Sequence, residues 1–221
     1  MTAPNILDQL GVKGASISAI AGQLIQESEK IPKLVEAFQT EKSSKKYAFE
    51  KVLRLVSENR PELIYPYFDV FVSMLDSDNN FLKWGAIITI ANLTAVDIPQ
   101  KFEAIFPKYY APITGPAMIT AANIIGSSAI IARFKPLLID AITREILKVE
   151  KAKYKLKGCL SPECRNVAIG HAIDSFDKFY NQIGDNKEVL NFVKRQLKNT
   201  RKPVAKRAGQ FLQKHFPAAG K

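Results

Sequence analysis

Apolar residues recur three and four positions apart almost throughout the chain, and no strand-like alternation of useful length interrupts them. Breaks carrying Pro, Gly, Ser, Asn or Asp fall at 29–32, 42–44, 59–61, 76–80, 97–99, 113–116, 133–136, 158–162, 184–186 and 200–203. Those residue types cap helices or close turns. The segments between them run about 12 to 22 residues, which predicts ten or eleven helices joined by short loops. The chain reads as all-α.

The helices pair into a repeat. Around Ile64–Leu93 one amphipathic segment ends at Leu75, a turn carries Asp76 and Asp78, and a second helix begins near Asn80. That second helix holds Lys83, then Ala86 three residues on, then Ile90 and Leu93. The register recurs at Lys45, Ala48, Val52 and Leu55, and again at Arg165, Ala168 and Ala172. Looser copies lie at Ala121 and Ile125, and at Ala208 and Leu212. The equivalent alanines are 38, 35, 47 and 40 residues apart, a period near 40 with two helices per unit, which is the mark of a helical solenoid. A small side chain at that position lets two helical layers approach closely.

This pattern resembles HEAT repeats over roughly residues 29 to 216. The Leu75-Asp76 turn and the run Leu82-Lys83-Trp84-Gly85-Ala86 look like that family's Leu-Asp turn and Val-Arg-x-x-Ala start. Cys164-Arg165-Asn166-Val167-Ala168 is a second clear copy. Unit one keeps Lys45 and Ala48 without the turn aspartate, unit three has Met118 at the basic position, and unit five has Ala205. The resemblance implies a right-handed α-α superhelix of about five helical pairs. Residues 1–28, with Gly14-Ala15-Ser16, read as an N-terminal helical cap, and 29–221 as one continuous solenoid.

Charge adds direction to this picture. The 221 residues carry a formal net charge of +11, with 47% apolar and 24% charged residues, so the chain is globular and basic. The charge is uneven: residues 1–110 sum to −1 and residues 111–221 to +12. One basic end or face, suited to acidic partners, is the expectation. Met1–Leu10 has no basic n-region and is interrupted by Asp8, so it does not read as a secretory signal. The charge-free stretch between Lys108 and Arg133 has bilayer-spanning length, but Gly115-Pro116 breaks it, and a helix buried between neighbours explains it better. A cytoplasmic protein with no membrane partner is expected.

Two cysteines exclude a disulfide scaffold. Cys164 takes an apolar slot before Arg165, and Cys159 reads as a loop thiol. With His171 and His215 the only histidines, no four-ligand zinc spacing exists, and no nucleotide-loop, metalloprotease or nucleophile-elbow motif occurs. No cofactor, metal or small-molecule substrate is expected. His171, Asp174 and Ser175 share one helix face, yet adjacent turns of one helix seldom aim a nucleophile, base and orienting acid at one point.

The basic residues are the stronger candidates. Arg144–Lys157 (REILKVEKAKYKLK) reads as a lengthened first helix of unit four, with Lys148, Lys151 and Lys155 on one face. A second cluster spans Lys194–Lys214, in which Lys206, Gln210 and Lys214 form a stripe. The expected partner-binding patch is Lys151, Lys155, Lys198 and Arg201, with Lys206, Arg207 and Lys214 along the last helix. Trp84, the single tryptophan, either stacks on a partner or packs between repeats.

The favoured function is a non-enzymatic interaction module that recruits an acidic protein segment. Sequence-nonspecific nucleic-acid binding is the alternative. Its sharper form rests on resemblance to the HEAT-like alkylpurine DNA glycosylases, which implies a concave cleft with several aromatics and an acid; here there is one Trp and no acid matches their pattern, with Asp97 or Asp140 as the candidates near it. A third reading makes the chain a subunit of an assembly, with Tyr65, Tyr67, Phe68, Tyr109 and Tyr110 exposed at an interface.

Overall fold

A computed structural model describes residues 6–10 and 14–217. Helix follows helix, and the described residues fall into two compact units, Met1–Ile105 and Phe106–Lys221. Of the N-terminal cap read over 1–28, residues 1–5 and 11–13 lie outside the described residues. The remainder forms a short α1 (Ile6–Gln9) and α2 (Ile17–Gln26), capped by Ser16 accepting the Ala19 N–H at 3.3 Å.

In the first unit α3 (Ile31–Thr40), α4 (Lys45–Asn59), α5 (Pro61–Ile64), α6 (Phe68–Met74) and α7 (Asn80–Leu93) follow, then α8 begins at Lys101 and ends at Tyr110. Helix α4 packs against α2, α3 and α7, and α6 covers α7. The two second helices run parallel and in register. Tyr47 meets Phe81 at 5.9 Å between ring centres, Glu50 lies over Gly85, and the Asn92 amide donates to Ser57 Oγ at 3.0 Å. Val52, Leu53 and Val56 of α4 and Ile90 and Leu93 of α7 are fully buried, and Phe38 of α3 stacks on Phe71 of α6.

In the second unit α9 (Met118–Phe134) and α10 (Ile139–Leu147) precede a short hairpin, β1 (Lys155–Leu156) and β2 (Cys159–Leu160). Then come α11 (Pro162–Phe179), α12 (Lys187–Gln196) and α13 (Lys202–His215). Helix α11 packs between α9 and α13, while α10 lies on α9 and α12 on α13. Phe176 anchors this core, with Phe179 and Phe192 at 5.8 and 6.0 Å. The alanines of the repeat sit where the helices touch: Ala86, Ala121, Ala168 and Ala208 are buried, and Ala48 is half-buried. Burial of α9 accounts for its missing charges. Among the described residues no helix is long and apolar enough to cross a membrane.

Two expectations change. The first helix of the fourth pair ends at Leu147, and Lys148–Lys151 forms a 3₁₀ turn before the chain extends, so Lys155 is not on a helix with Lys148 and Lys151. Tyr109, Tyr110 and Phe68 are core residues at 1% exposure each, not interface; the Tyr110 hydroxyl lies 3.1 Å from Ser128 Oγ. Tyr65 and Tyr67 are half-buried.

Candidate functional site

The second unit gathers positive charge at one end. Helices α11 and α13 run parallel, with Glu163 paired to Arg201 near their starts, Asp174 to Arg207 at 3.2 Å midway, and Asp177 to Lys214 at 2.8 Å near their ends. Asn166 and Asn199, joined at 3.2 Å, hold the α12–α13 loop to the first turn of α11. The extended segment before the hairpin bonds to the residues before α9: the Lys153 N–H donates to the Thr114 carbonyl at 3.2 Å and the Lys155 N–H to the Pro116 carbonyl at 3.0 Å. The Ser161 N–H then donates back to the Tyr154 carbonyl at 2.9 Å, and Ser161 Oγ caps α11 by accepting the Cys164 N–H. The starts of α9, α11 and α13 therefore lie at the same end, beside the hairpin. The positive ends of the three helix dipoles add partial charge there.

On that end stand Lys153 just before the hairpin, Lys155 and Lys157 within it, Arg165 of α11, and Lys198 and Lys202 before and at the start of α13. Apart from Arg165, which is half-exposed, all are exposed, and among the described residues none pairs with a carboxylate. Of the eight carboxylates of residues 111–221, five bind cations of their own unit: Glu163 does so at this end, with Arg201, and Glu145, Glu150, Asp174 and Asp177 do so away from it. Such exposed pairs stabilise by well under 1 kcal/mol each in general, but they cancel those cations locally.

The expected patch therefore divides. Lys155 and Lys198 lie on the cationic end without partners. Arg201 is there too, tied to Glu163. Lys206 is exposed and unpaired along α13. Arg207 lies over the backbone of Gly170, and Lys214 shares Asp177 with His215, whose Nε2 is 2.8 Å from the other oxygen. Burial pushes the Asp177 carboxyl up, but those two hydrogen bonds outweigh it and hold its pKa below the usual value. Lys151 stands apart, in a cleft of about 480 Å³ between α10 and α12 that Arg144, Lys148 and Arg195 also line. There Arg195 grips Glu150 with two nitrogens, at 2.8 and 2.7 Å.

The remaining candidates have structural surroundings. Trp84 is half-buried in the first unit, edge-on to Phe81 at 5.4 Å; Phe81 is 65% exposed and also meets Tyr47. Asp97 is buried at 5% exposure and accepts hydrogen bonds from the Tyr65 hydroxyl at 2.5 Å and from the Lys101 and Phe102 N–H groups at 2.8 and 2.9 Å. Asp140 lines a second cleft of about 280 Å³ with Thr143, Arg144, Asp185 and Glu188. Of the same-face trio, Ser175 is buried with no hydrogen-bond partner, Asp174 pairs with Arg207, and burial lowers the His171 pKa against the pull of Asp174. Cys164 is buried, Cys159 exposed, and both are free thiols.

The chain matches no protein-family model, no curated protein and no solved structure. Its chemistry must be read from its own residues. Among the described residues no group of three or more His, Cys, Asp or Glu is placed to hold a metal ion.

The hairpin is the part of the surface that the helical reading missed. Its signal was present: from Lys151 to Lys157 lysines alternate with Ala152, Tyr154 and Leu156, and Lys157-Gly158 forms the turn with φ of 50° and 83°. Two positive φ values between paired strands make a tight hairpin turn, and Gly158 adopts such a value freely.

Proposed function

We propose that the chain is a HEAT-repeat-like α-solenoid, a right-handed stack of about five helical pairs, that works as a non-enzymatic binding module. Its C-terminal unit captures an acidic protein segment on the cationic end formed by the hairpin and the starts of α9, α11 and α13. Parallel second helices in each unit, with alanines at their contacts, support the solenoid reading. The observation that carries the function is the convergence of Lys153, Lys155, Lys157, Arg165, Lys198 and Lys202, while the unit's carboxylates pair mostly elsewhere. A field of one sign draws an oppositely charged partner and speeds its encounter.

The test is fluorescence anisotropy of a labelled glutamate-rich peptide over a salt series, with a DNA duplex of equal label alongside. The Lys155→Glu/Lys198→Glu variant is expected to bind the peptide about tenfold more weakly, with a shallower salt dependence. Both residues are exposed and unpaired, so its thermal melting should match the parent. Unchanged affinity would refute this assignment of the surface.

A further inference from the structure

The hairpin narrows the chemistry of the acidic segment, an inference that rests on the cationic end being the binding surface. Both faces of the hairpin are in solvent, and its two large apolar side chains are mostly exposed, Leu156 at 59% and Leu160 at 63%. A two-stranded hairpin in water is marginal by itself. This one is rooted instead. Ala152 and Tyr154 are buried below it, the Tyr154 hydroxyl donates to the Ile113 carbonyl at 2.5 Å, and the Lys153 and Lys155 N–H groups reach the chain before α9. The arm is held firmly while its leucines stay outside.

The register decides which side chains meet. Lys155 pairs with Leu160, and Leu156 with Cys159, so one face sets a cation directly beside a leucine. Lysines recur at every second residue from 151 to 157, and no carboxylate occurs between Lys151 and Pro162. Along an extended strand, alternate residues on one side stand roughly 7 Å apart. A polyanion without apolar groups would leave Leu156 and Leu160 in water. Leu160 stands on the face of Lys155 and Leu156 on the opposite one. A segment that carries leucine-like side chains between its carboxylates would bury Leu160 while it meets the lysines, and, lying along the edge of the arm, would reach Leu156 as well.

We propose that the hairpin arm recognises an acidic protein segment in which carboxylates are interspersed with large apolar side chains. Charge brings the segment in, and contact with Leu156 and Leu160 separates it from other polyanions, because burial of apolar area is insensitive to charge matching.

The experiment compares two labelled peptides of equal length and charge on the full chain. One alternates glutamate with leucine; the other has serine in place of each leucine. The leucine peptide is expected to bind about tenfold more tightly, since burial of one leucine is enough for that ratio. In the Leu156→Ser/Leu160→Ser variant the preference should vanish while the salt dependence of both peptides stays as in the parent. These leucines are exposed, so the far-ultraviolet circular dichroism and melting of the variant should be unchanged. Equal affinity of the parent for the two peptides overturns the inference and leaves the cationic end standing. A preference that survives in the variant also overturns it. Binding of neither peptide at low salt overturns both the inference and the reading beneath it, and so does a DNA duplex that binds more tightly than the leucine peptide.

Discussion

Alanine at position 85 should destabilise the first unit by about 2 kcal/mol, although alanine is the better helix former. The reason lies across the α4–α7 contact. Glu50 is only 6% exposed, and its side chain lies flat on the backbone of Gly85, so that a Cβ placed there would stand 2.7 Å from Glu50 Cγ and closer still to its carboxyl. The whole side chain would have to leave its seat, loosening the 2.9 Å pair with Arg54. Overpacking of this kind costs about 1–3 kcal/mol, and the lost pair and the void add to it; about 1 kcal/mol of helix propensity is returned. Urea unfolding followed by circular dichroism measures the difference. The Glu50→Ala/Gly85→Ala double variant should recover most of the loss, because the methyl then enters vacated space. A loss that persists in the double variant would place the strain elsewhere.

The same contact has a pH signature. Burial raises the Glu50 pKa above its ordinary value, and Arg54 only partly opposes this. A carboxyl that titrates higher in the folded chain stabilises it fully below the unfolded value of 4.5. That contribution is lost as pH rises through the folded value. Glu50→Gln, which keeps the shape without the charge, should therefore be more stable relative to the parent at neutral pH than at pH 4. A difference that is flat across that range would show Glu50 to be solvated in the folded chain.

Removal of the Asp97 carboxylate is expected to cost still more, about 3 kcal/mol. It receives the first two N–H groups of α8 and the Tyr65 hydroxyl, and burial together with this carboxylate keeps that phenol protonated. Asp97→Ala would strand three donors where little water reaches, and each stranded buried donor costs about 1–3 kcal/mol less whatever hydration it recovers. Asp97→Asn retains one acceptor oxygen and should lose less. The ordering Ala worse than Asn worse than parent, read from urea midpoints, is the check; equal effects would mean that the charge matters and the hydrogen bonds do not.

Much of the helical plan was legible because it depends on residues near one another. The apolar spacing placed α7 and α11, the turn residues placed their starts at Asn80 and Pro162, and the small side chains at 86, 121, 168 and 208 marked the helix contacts. The charged surface was less legible. Whether a lysine is available depends on a partner some 33 to 38 residues away, as with Arg207 and Asp174 or Arg201 and Glu163, and that register is fixed only by packing. Glu50 over Gly85 is hidden for the same reason. The hairpin was obscured differently. Lys148, Lys151 and Lys155 happen to fit a helical stripe, which outweighed a shorter alternation that the Lys157-Gly158 turn completes. Tyr109 and Tyr110 read as surface residues because a phenol suits either place; their depth follows from the α9 hydroxyls that meet them.

A short sheet with leucines on both faces is the sort of element through which two copies of a chain stick together, strand beside strand. Here an approach of one hairpin to another through the face of Lys155 brings Lys153, Lys155 and Lys157 against their own counterparts, with no carboxylate on the arm to soften the meeting. The lysines thus oppose an identical arm, whatever partner of opposite sign they would take under the proposed function. Salt screens that repulsion, so the conditions that would release the proposed acidic segment are also those in which the arm is least protected from its own kind.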